Sequence, residues 1–549
     1  MAFRMIHVVV LSAAMTIPSA ADKQAEVELT QLEEEIRENL AQIRALEAQQ
    51  QHIQRLDAHR RLRDDTRPPS IYGATSSTRP YTSAESVDGA MTHLWLLLNG
   101  FLVMFMQAGF AMLEAGVCRR KFVQNILLKN LTDVCVGTLG WWAFGWSFAY
   151  SGPKVNEGGT LYLENKFIGS TQFLGHHFAV SMEDGQIEPS SDTVNWFFQW
   201  AFASAAATIV SGGVAERMKF PGYCIYSLLL TSFIYPVVVA WTWGMGFLAA
   251  AGSVGYMDFA GSGIVHLTGG VGALVGSIIA GPRNNRFKSP RGDFEPVLEE
   301  PDEFAPHNET LIELGTAILF FGWYGFNMGS TLDMSLTSDS AFKAAHIAMT
   351  TTLSAVVGGL SCFLLRCLIS KKQEVPAFCN GLLAGLVSIT AGCSTVSNGS
   401  SIVIGLVGAI IYQAASSVLK LLKIDDPLDA FPIHGACGAW GVMAAAIFDW
   451  GHSFEYVHGW SGFECMRDSN GQCLEGVGGE LVGINLAEIV CITLWVGVLS
   501  ALIFAPLKAL GWLVATPEEQ ELGFDEAKHS PPKAYDWGRE EANVPTNNR

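Results

Sequence analysis

Apolar stretches of about twenty residues recur along this 549-residue chain from residue 91 to residue 513, and they leave few folds open. A bilayer core is crossed by ~17–25 helical residues, and only helices or closed barrels satisfy their backbone polar groups inside it. Eleven spans are read: 91–115, 131–150, 193–215, 222–250, 258–281, 308–330, 341–369, 376–394, 397–421, 431–449 and 479–513. Several are rich in Gly, Ala and Ser, which lets helix backbones approach closely in a bundle. Charged residues make up 16% of the chain, against ~25% in soluble domains. The expectation is an all-α polytopic membrane protein with eleven transmembrane helices.

Basic residues give the orientation. Arg119, Arg120 and Lys121 follow the first span, Arg217 and Lys219 the third, and Arg283, Arg286, Lys288 and Arg291 the fifth. Arg366, Lys371 and Lys372 close the seventh, and Lys420 and Lys423 follow the ninth. All are exits of odd-numbered spans, so that side reads as cytoplasmic. The N-terminus is then outside and the C-terminus inside, with the plasma membrane the default location.

Residues 1–21, with Arg4, the apolar run Val8–Ile17 and Ser19-Ala20-Ala21, read as a signal peptide. In 22–65, Leu29, Leu32, Ile36, Ile43, Leu46 and Ile53 follow alternating 3- and 4-residue steps. That is coiled-coil spacing, with a lone polar helix as the alternative. A Pro/Ser/Thr-rich linker at 66–87 leads to a membrane domain at 88–515 and a tail at 516–549.

The net charge of −18 gathers in the N-terminal segment, the 293–309 loop and the tail, where it is solvated. No polybasic tract points to nucleic acid. The eleven cysteines have neither C-x-x-C nor metal-ligand spacing, so no metal and no cofactor is expected. Nine read as small core residues. Cys465 and Cys473 lie in a polar outer loop, where an oxidising compartment would allow a disulfide.

Two histidines interrupt glycine-rich apolar sequence, each eight residues after an aspartate: Asp258 and His266, then Asp426 and His434. Both pairs are related by one offset of 168 residues. An ionisable group at membrane depth costs at least ~2.5–3.5 kcal/mol, so it ordinarily faces a pathway or a buried partner. The common offset suggests two repeats, spans 1–5 and 6–10. Five is odd, so the second repeat must be inverted, with a site near the midplane at the interface. The last span is then extra and packs around the outside. Asp258 should accept backbone N–H or hydroxyl bonds; a plain helix N-cap would explain it equally. Two neutral imidazoles can share a hydrogen bond and still present an N–H and a lone pair to a lumen. His346 reads as core, and His93 receives no role.

Ordered motifs extend this reading: F-M-Q-A-G-F-A-M-L-E-A-G at 105–116, N-I-L-L-K-N at 125–130, N-W-F-F-Q-W-A-F-A at 195–203 and G-G-V-A-E-R at 212–217. They continue with D-F-A-G-S-G-I-V-H at 258–266, G-W-Y-G-F-N-M-G-S at 322–330 and D-D-P-L-D-A-F-P-I-H-G-A-C-G at 425–438. Across roughly 88–535 the chain resembles the ammonium transporter (Amt/Mep/Rh) superfamily, and within it the plant-type Amt branch.

The resemblance implies a homotrimer in the lipid bilayer with one pore per subunit, carrying ammonium or ammonia. The candidates for a cation-recruiting outer mouth are Trp243, Phe198, Phe202 and Ser330; the resemblance puts Trp243 and Ser330 in that site, with Trp241 competing for the place of Trp243. It also implies a stacked gate of Phe202 and Phe326, and a pore lined by His266 and His434. Asp258 is implied to organise the mouth and help deprotonation, and Asp426 to be its inner, structural counterpart. In the tail, Gly523, Asp525 and His529 match the family's G-x-D-x-x-x-H. Ala527 stands where plant-type relatives carry a phosphorylated threonine, so control at that position is excluded and Ser530 is among the remaining hydroxyls. The outward N-termini of a trimer could align three coiled-coil helices.

The rival functions are a sensor signalling through its tail and an electroneutral Rh-type channel for NH3 or CO2. An enzyme is not expected, because there is no H-E-x-x-H and no nucleophile partnered with the histidine–aspartate pairs.

Overall fold

Every apolar span expected from the sequence contains a helix, and the differences lie at the ends and in local π-turns. A computed structural model describes residues 84–157, 160–176, 178, 180–183, 186–189, 191–252, 255–288, 301–334, 340–448 and 479–535. The expected signal peptide, the coiled coil, most of the linker, and Cys465 and Cys473 lie outside the described residues.

Helix α1 is Ala84–Val117, and α2 covers 123–150 with a π-turn at Trp141–Gly145. Two short hairpins, β1–β2 (Lys154–Glu157, Thr160–Leu163) and β3–β4 (Val180–Glu183, Gln186–Pro189), precede α3 (Asp192–Gly213). Then come α4 (Phe220–Trp241), α5 (Ser262–Ala280), α6 (Glu309–Gly329) and α7 (Ser340–Ser370). After α8 (Val375–Thr390) and α9 (Asn398–Leu421) follow α10 (Phe431–Phe448) and α11 (Glu480–Ala509). Two short tail helices close the chain, α12 (Pro517–Leu522) and α13 (Phe524–Lys528).

Among the described residues, seven helices are long and apolar enough to cross a membrane: α1, α4, α5, α7, α9, α10 and α11. Helix α2 is less apolar because it carries Asn125, Lys129, Asn130 and Asp133, all buried. Large apolar side chains stay exposed along α1, α7 and α11, including Leu94, Phe101, Leu364, Leu494 and Leu502, which suits a lipid or subunit contact better than water.

Span four ends earlier than expected, at Trp241. Thr242 leaves helical backbone and the chain turns back on itself, so that a side chain at Gly246 would lie 2.3 Å from the Ala240 carbonyl oxygen. Helices α1 and α6 pack backbone to backbone, since a Cβ at Gly315 would lie 2.4 Å from the Leu113 nitrogen. The cysteines are less uniformly core than expected: Cys135 is exposed, and Cys224, Cys367 and Cys491 are half-buried.

Charged residues meet beyond the end of α5. Arg283 bonds both oxygens of Asp425 through Nε and Nη2, each at 2.9 Å, and lies 3.2 Å from Glu216. Glu216 also takes Arg119 at 2.6 Å, and Arg217 donates to the Asp425 carbonyl at 2.6 Å. The Phe304 ring faces the guanidinium groups of Arg119 and Arg283 at 4.6 and 4.9 Å. Burial alone would push the Asp425 carboxyl up, but the Arg283 and Arg217 guanidinium groups outweigh it and hold it well below the usual carboxylate range.

The tail docks on the same end. Its Asp525 accepts the Gln124 and Asn125 N–H groups, both at 2.9 Å, capping α2 from outside the helix. Phe524 packs edge-on to Phe122, and the Ala515 N–H donates to the Arg217 carbonyl at 2.9 Å. Losing a cap costs ~0.5–2 kcal/mol, enough to loosen a short element without unfolding a bundle. Asp525→Ala should therefore speed tryptic cleavage at Lys528 about fivefold or more while leaving the main thermal transition in place. Equal cleavage of variant and wild type in detergent would show that Asp525 does not hold the tail.

Candidate functional site

Asp258 folds the chain into the start of α5. Its Oδ1 accepts the N–H groups of Gly261 and Ser262 at 2.9 and 2.8 Å, and Oδ2 those of Gly263 and Ile264 at 2.8 and 3.0 Å. One carboxylate thus serves the orphan donors of a helix start, as an N-cap should. Gly261 sits at φ +103°, and a Cβ there would meet the Val265 side chain at 2.8 Å. The chain then makes a π-helical turn, Ser262–Leu267, which carries His266.

The same local architecture recurs 168 residues later. Asp426 accepts the Ala430 and Phe431 N–H groups at 2.9 and 2.8 Å, and a π-turn at Phe431–Ala436 carries His434. Asp429 stands at the Gly261 place with φ 52°, a conformation that an Asp tolerates better than most side chains. Its carboxylate is held by the Tyr412 and Ser416 hydroxyls at 2.9 and 2.8 Å. Burial, and next the charge of Asp429, push the Asp426 carboxyl up to about 6.

The two helices run in opposite directions. Asp425, ahead of α10, is bonded to Arg283 past the end of α5. Met257, ahead of α5, clusters with Ala445 and Ala446 near the end of α10. They cross at glycines: a Cβ at Gly270 would lie 2.2 Å from the Gly435 nitrogen, and one at Gly438 would lie 3.0 Å from the Leu267 nitrogen.

This crossing brings His266 Nδ1 to 3.1 Å from His434 Nδ1, with the rings nearly parallel at 22°. The second nitrogen of His266 has no hydrogen-bond partner among the described residues. Aromatic rings continue the pair in both directions. Trp323 stacks on His266 at 5.0 Å and Phe326 at 5.3 Å, while Phe326 stacks on Phe202 at 4.1 Å. Phe110 approaches His434 at 6.2 Å. Phe202, Phe326 and Trp323 are fully buried.

Beyond Phe202 lie Trp243, edge-on at 6.0 Å, and Phe198 at 4.8 Å. The Trp243 indole N–H donates to the Asp258 carbonyl at 3.1 Å, tying the ring to the α5 start. Trp241 instead packs among Phe167, Phe247 and Trp495, away from this column. Ser330 caps α6 one turn past Phe326 and donates to the Phe326 carbonyl at 2.9 Å. His346 is half-buried and bonded to the Val396 carbonyl, and His93 is exposed.

Some residues that build the region received no role from the sequence. Trp323, inside a quoted motif, forms the wall behind His266 and is held by its N–H bond to Thr390. Glu114, Lys129 and Asp133 form a buried network with Ser211, Thr208 and Ser227. Helix α11 contributes Asn485, which bonds the backbone of Met257, and Glu488 beside Asp258. Their signal was available as charges within apolar helices.

A bundle of apolar helices around a buried column of histidines and aromatics defines a multi-pass membrane protein with an internal site. A sequence model of the Ammonium Transporter Family matches residues 94–535, and the chain belongs to that family. It is 35% identical over 472 residues to ammonium transporter 1 member 3 of Solanum lycopersicum, covering 84% of this chain and 96% of that one. Among solved structures it is similar to a "Sensor Amt Protein" (29% identity, TM-score 0.68, 81% of this chain and 99% of that one). It is also similar to Mep2 of Saccharomyces cerevisiae (27% identity, TM-score 0.62, 78% and 88%).

Proposed function

We propose that this chain is a selective, electrogenic ammonium transporter. The observation that carries this reading is the His266–His434 pair, joined at 3.1 Å inside a closed aromatic column. Ammonium and potassium are close in size, so a cage of ligands discriminates poorly between them. Ammonium alone can shed a proton, after which neutral NH3 enters an apolar passage at far lower cost than an ion. Trp243, Phe198, Phe202 and Ser330 recruit the cation, with the ring faces attracting it by ~0.5–1 kcal/mol when exposed and more when desolvated. Asp258 assists deprotonation through the helix start that it organises. Phe202 and Phe326 gate the passage, and the two imidazoles guide NH3 and relay the proton. Asp426 has the structural role at the other end.

All eleven helices cross the membrane on this reading, as an inverted 5+5 repeat with α11 added. The opposed directions of α5 and α10 and their reciprocal glycine crossing support it. A homotrimer in the plasma membrane, with the N-terminus outside and the tail in the cytoplasm, completes the proposal. The domain limits are those read from the sequence, including the signal peptide at 1–21, the extracytoplasmic coiled coil at 22–65, and a Cys465–Cys473 disulfide.

The test is the current evoked by an ammonium pulse on proteoliposomes, with K⁺ and Na⁺ pulses as controls. A saturable current with ammonium and none with K⁺ is expected. Alkalinisation of the lumen without current would replace the electrogenic reading with a neutral gas channel. Neither signal would leave a sensor, a reading that the similarity to a sensor Amt protein supports.

A further inference from the structure

Helix α11 brings a second carboxyl to Asp258. Asn485 pins the helix there, accepting the Met257 N–H at 2.9 Å and donating to the carbonyls of Met257 and Val442 at 2.9 and 2.8 Å. Glu488, one turn further on the same face, is fully buried, and neither of its oxygens meets an N–H or hydroxyl donor among the described residues. Its Oε1 lies 2.9 Å, and Asp258 Oδ2 3.2 Å, from the point where a Gly263 Cβ would sit. Both carboxyls therefore border one position that only glycine leaves open.

Their surroundings differ sharply. Four backbone N–H groups converge on Asp258. Glu488 has no such donors. Among the described residues, the titratable groups bearing on the pair are Tyr235 of α4, Tyr256 ahead of α5, Cys393 past α8 and Cys491 of α11, none of them a cation. Two neighbouring carboxylates in a buried site cannot both ionise, so one keeps a proton.

We propose that Asp258 and Glu488 share a single proton across Gly263, and that Glu488 thereby sets the proton affinity of the acid at the ammonium-receiving end of the column. The part concerning ammonium rests on the transport reading above. Glu488 acts through Asp258 as a positioning residue. Its proton fixes the charge of the pair at minus one, enough to attract a cation without the repulsion of a doubly charged site.

The full-length protein in lipid vesicles tests this by infrared spectroscopy and by ammonium-driven flux measured over a pH series. Wild type is expected to show the carbonyl stretch of a protonated carboxylic acid at neutral pH, and Glu488→Gln to lose it. The pH profile of flux in Glu488→Gln should move by about one unit or more, with Glu488→Asp restoring the wild-type profile in part. Absence of a Glu488-dependent band overturns the proposal. So does a lost band with an unchanged pH profile, since the proton is then fixed and structural. If wild type carries no flux, the transport reading fails, and the band and its pH titration still decide whether the proton is shared.

Discussion

His266→Phe and His434→Phe are each expected to cut ammonium flux by about a hundredfold or more, the scale at which positioned proton-transfer groups act. Phenylalanine keeps a ring of similar shape, so the stack of His266 on Trp323 and Phe326 is filled rather than emptied. Both ring nitrogens disappear, and with them the 3.1 Å contact between Nδ1 atoms. The change therefore separates proton chemistry from packing. Flux and lumenal pH should be recorded on the same vesicles, with size-exclusion profiles as the control for folding. Wild-type flux and selectivity in both variants would remove the pair from the mechanism.

Arg283→Met is expected to be the most destabilising of the substitutions considered, by ~3–5 kcal/mol, because it removes the cation shared by two buried carboxylates. Asp425 would lose the guanidinium that bonds both its oxygens, and Glu216 would keep only Arg119. Thermal unfolding in detergent should show a lowered transition. Arg283→Met combined with Asp425→Leu should recover part of the loss, since the Asp425 carboxylate is then no longer stranded; the recovery is partial because buried Arg286 loses its 3.9 Å contact with Asp425. An unchanged transition in the single variant would mean that the cluster contributes nothing.

The pH dependence has a definite sign. Asp425 is held below its ordinary value of about 3.9 in the folded state, so its contribution is complete above that pH. The contribution is lost as pH falls from there toward the lower folded value. Wild type should destabilise more steeply than the double variant on acidification.

The sequence carried the helical spans because hydropathy over about twenty residues is a strong signal, and every span contains a helix. It also carried the histidine pair, since the shared offset of 168 residues follows a shared backbone path of Asp cap, left-handed residue and π-turn. The fates of Arg217 and Arg283 were not legible. As sequence they count as basic residues at span exits, and nothing in that pattern says that they fold inward onto Asp425. Trp241 competed with Trp243 for a similar reason. The chain reverses after Trp241, and only the path through Thr242 and Gly246 turns Trp243 toward Phe202. Helix α11 was read as outer packing because the two five-span repeats left it over, yet its Asn485 and Glu488 reach the site.

The crossing of α5 and α10 bears on how such a passage could open and close. At Gly270 and Gly438 the two backbones already touch, and neither helix can move closer to the other. Sliding one along the other would drive backbone atoms together within a fraction of a residue. On the transport reading, the helix spacing behind the histidines is therefore fixed, like the body of a valve rather than its leaf. On that reading, traffic is throttled by parts that swing on side-chain torsions, and the stacked rings of Phe202 and Phe326 are such parts.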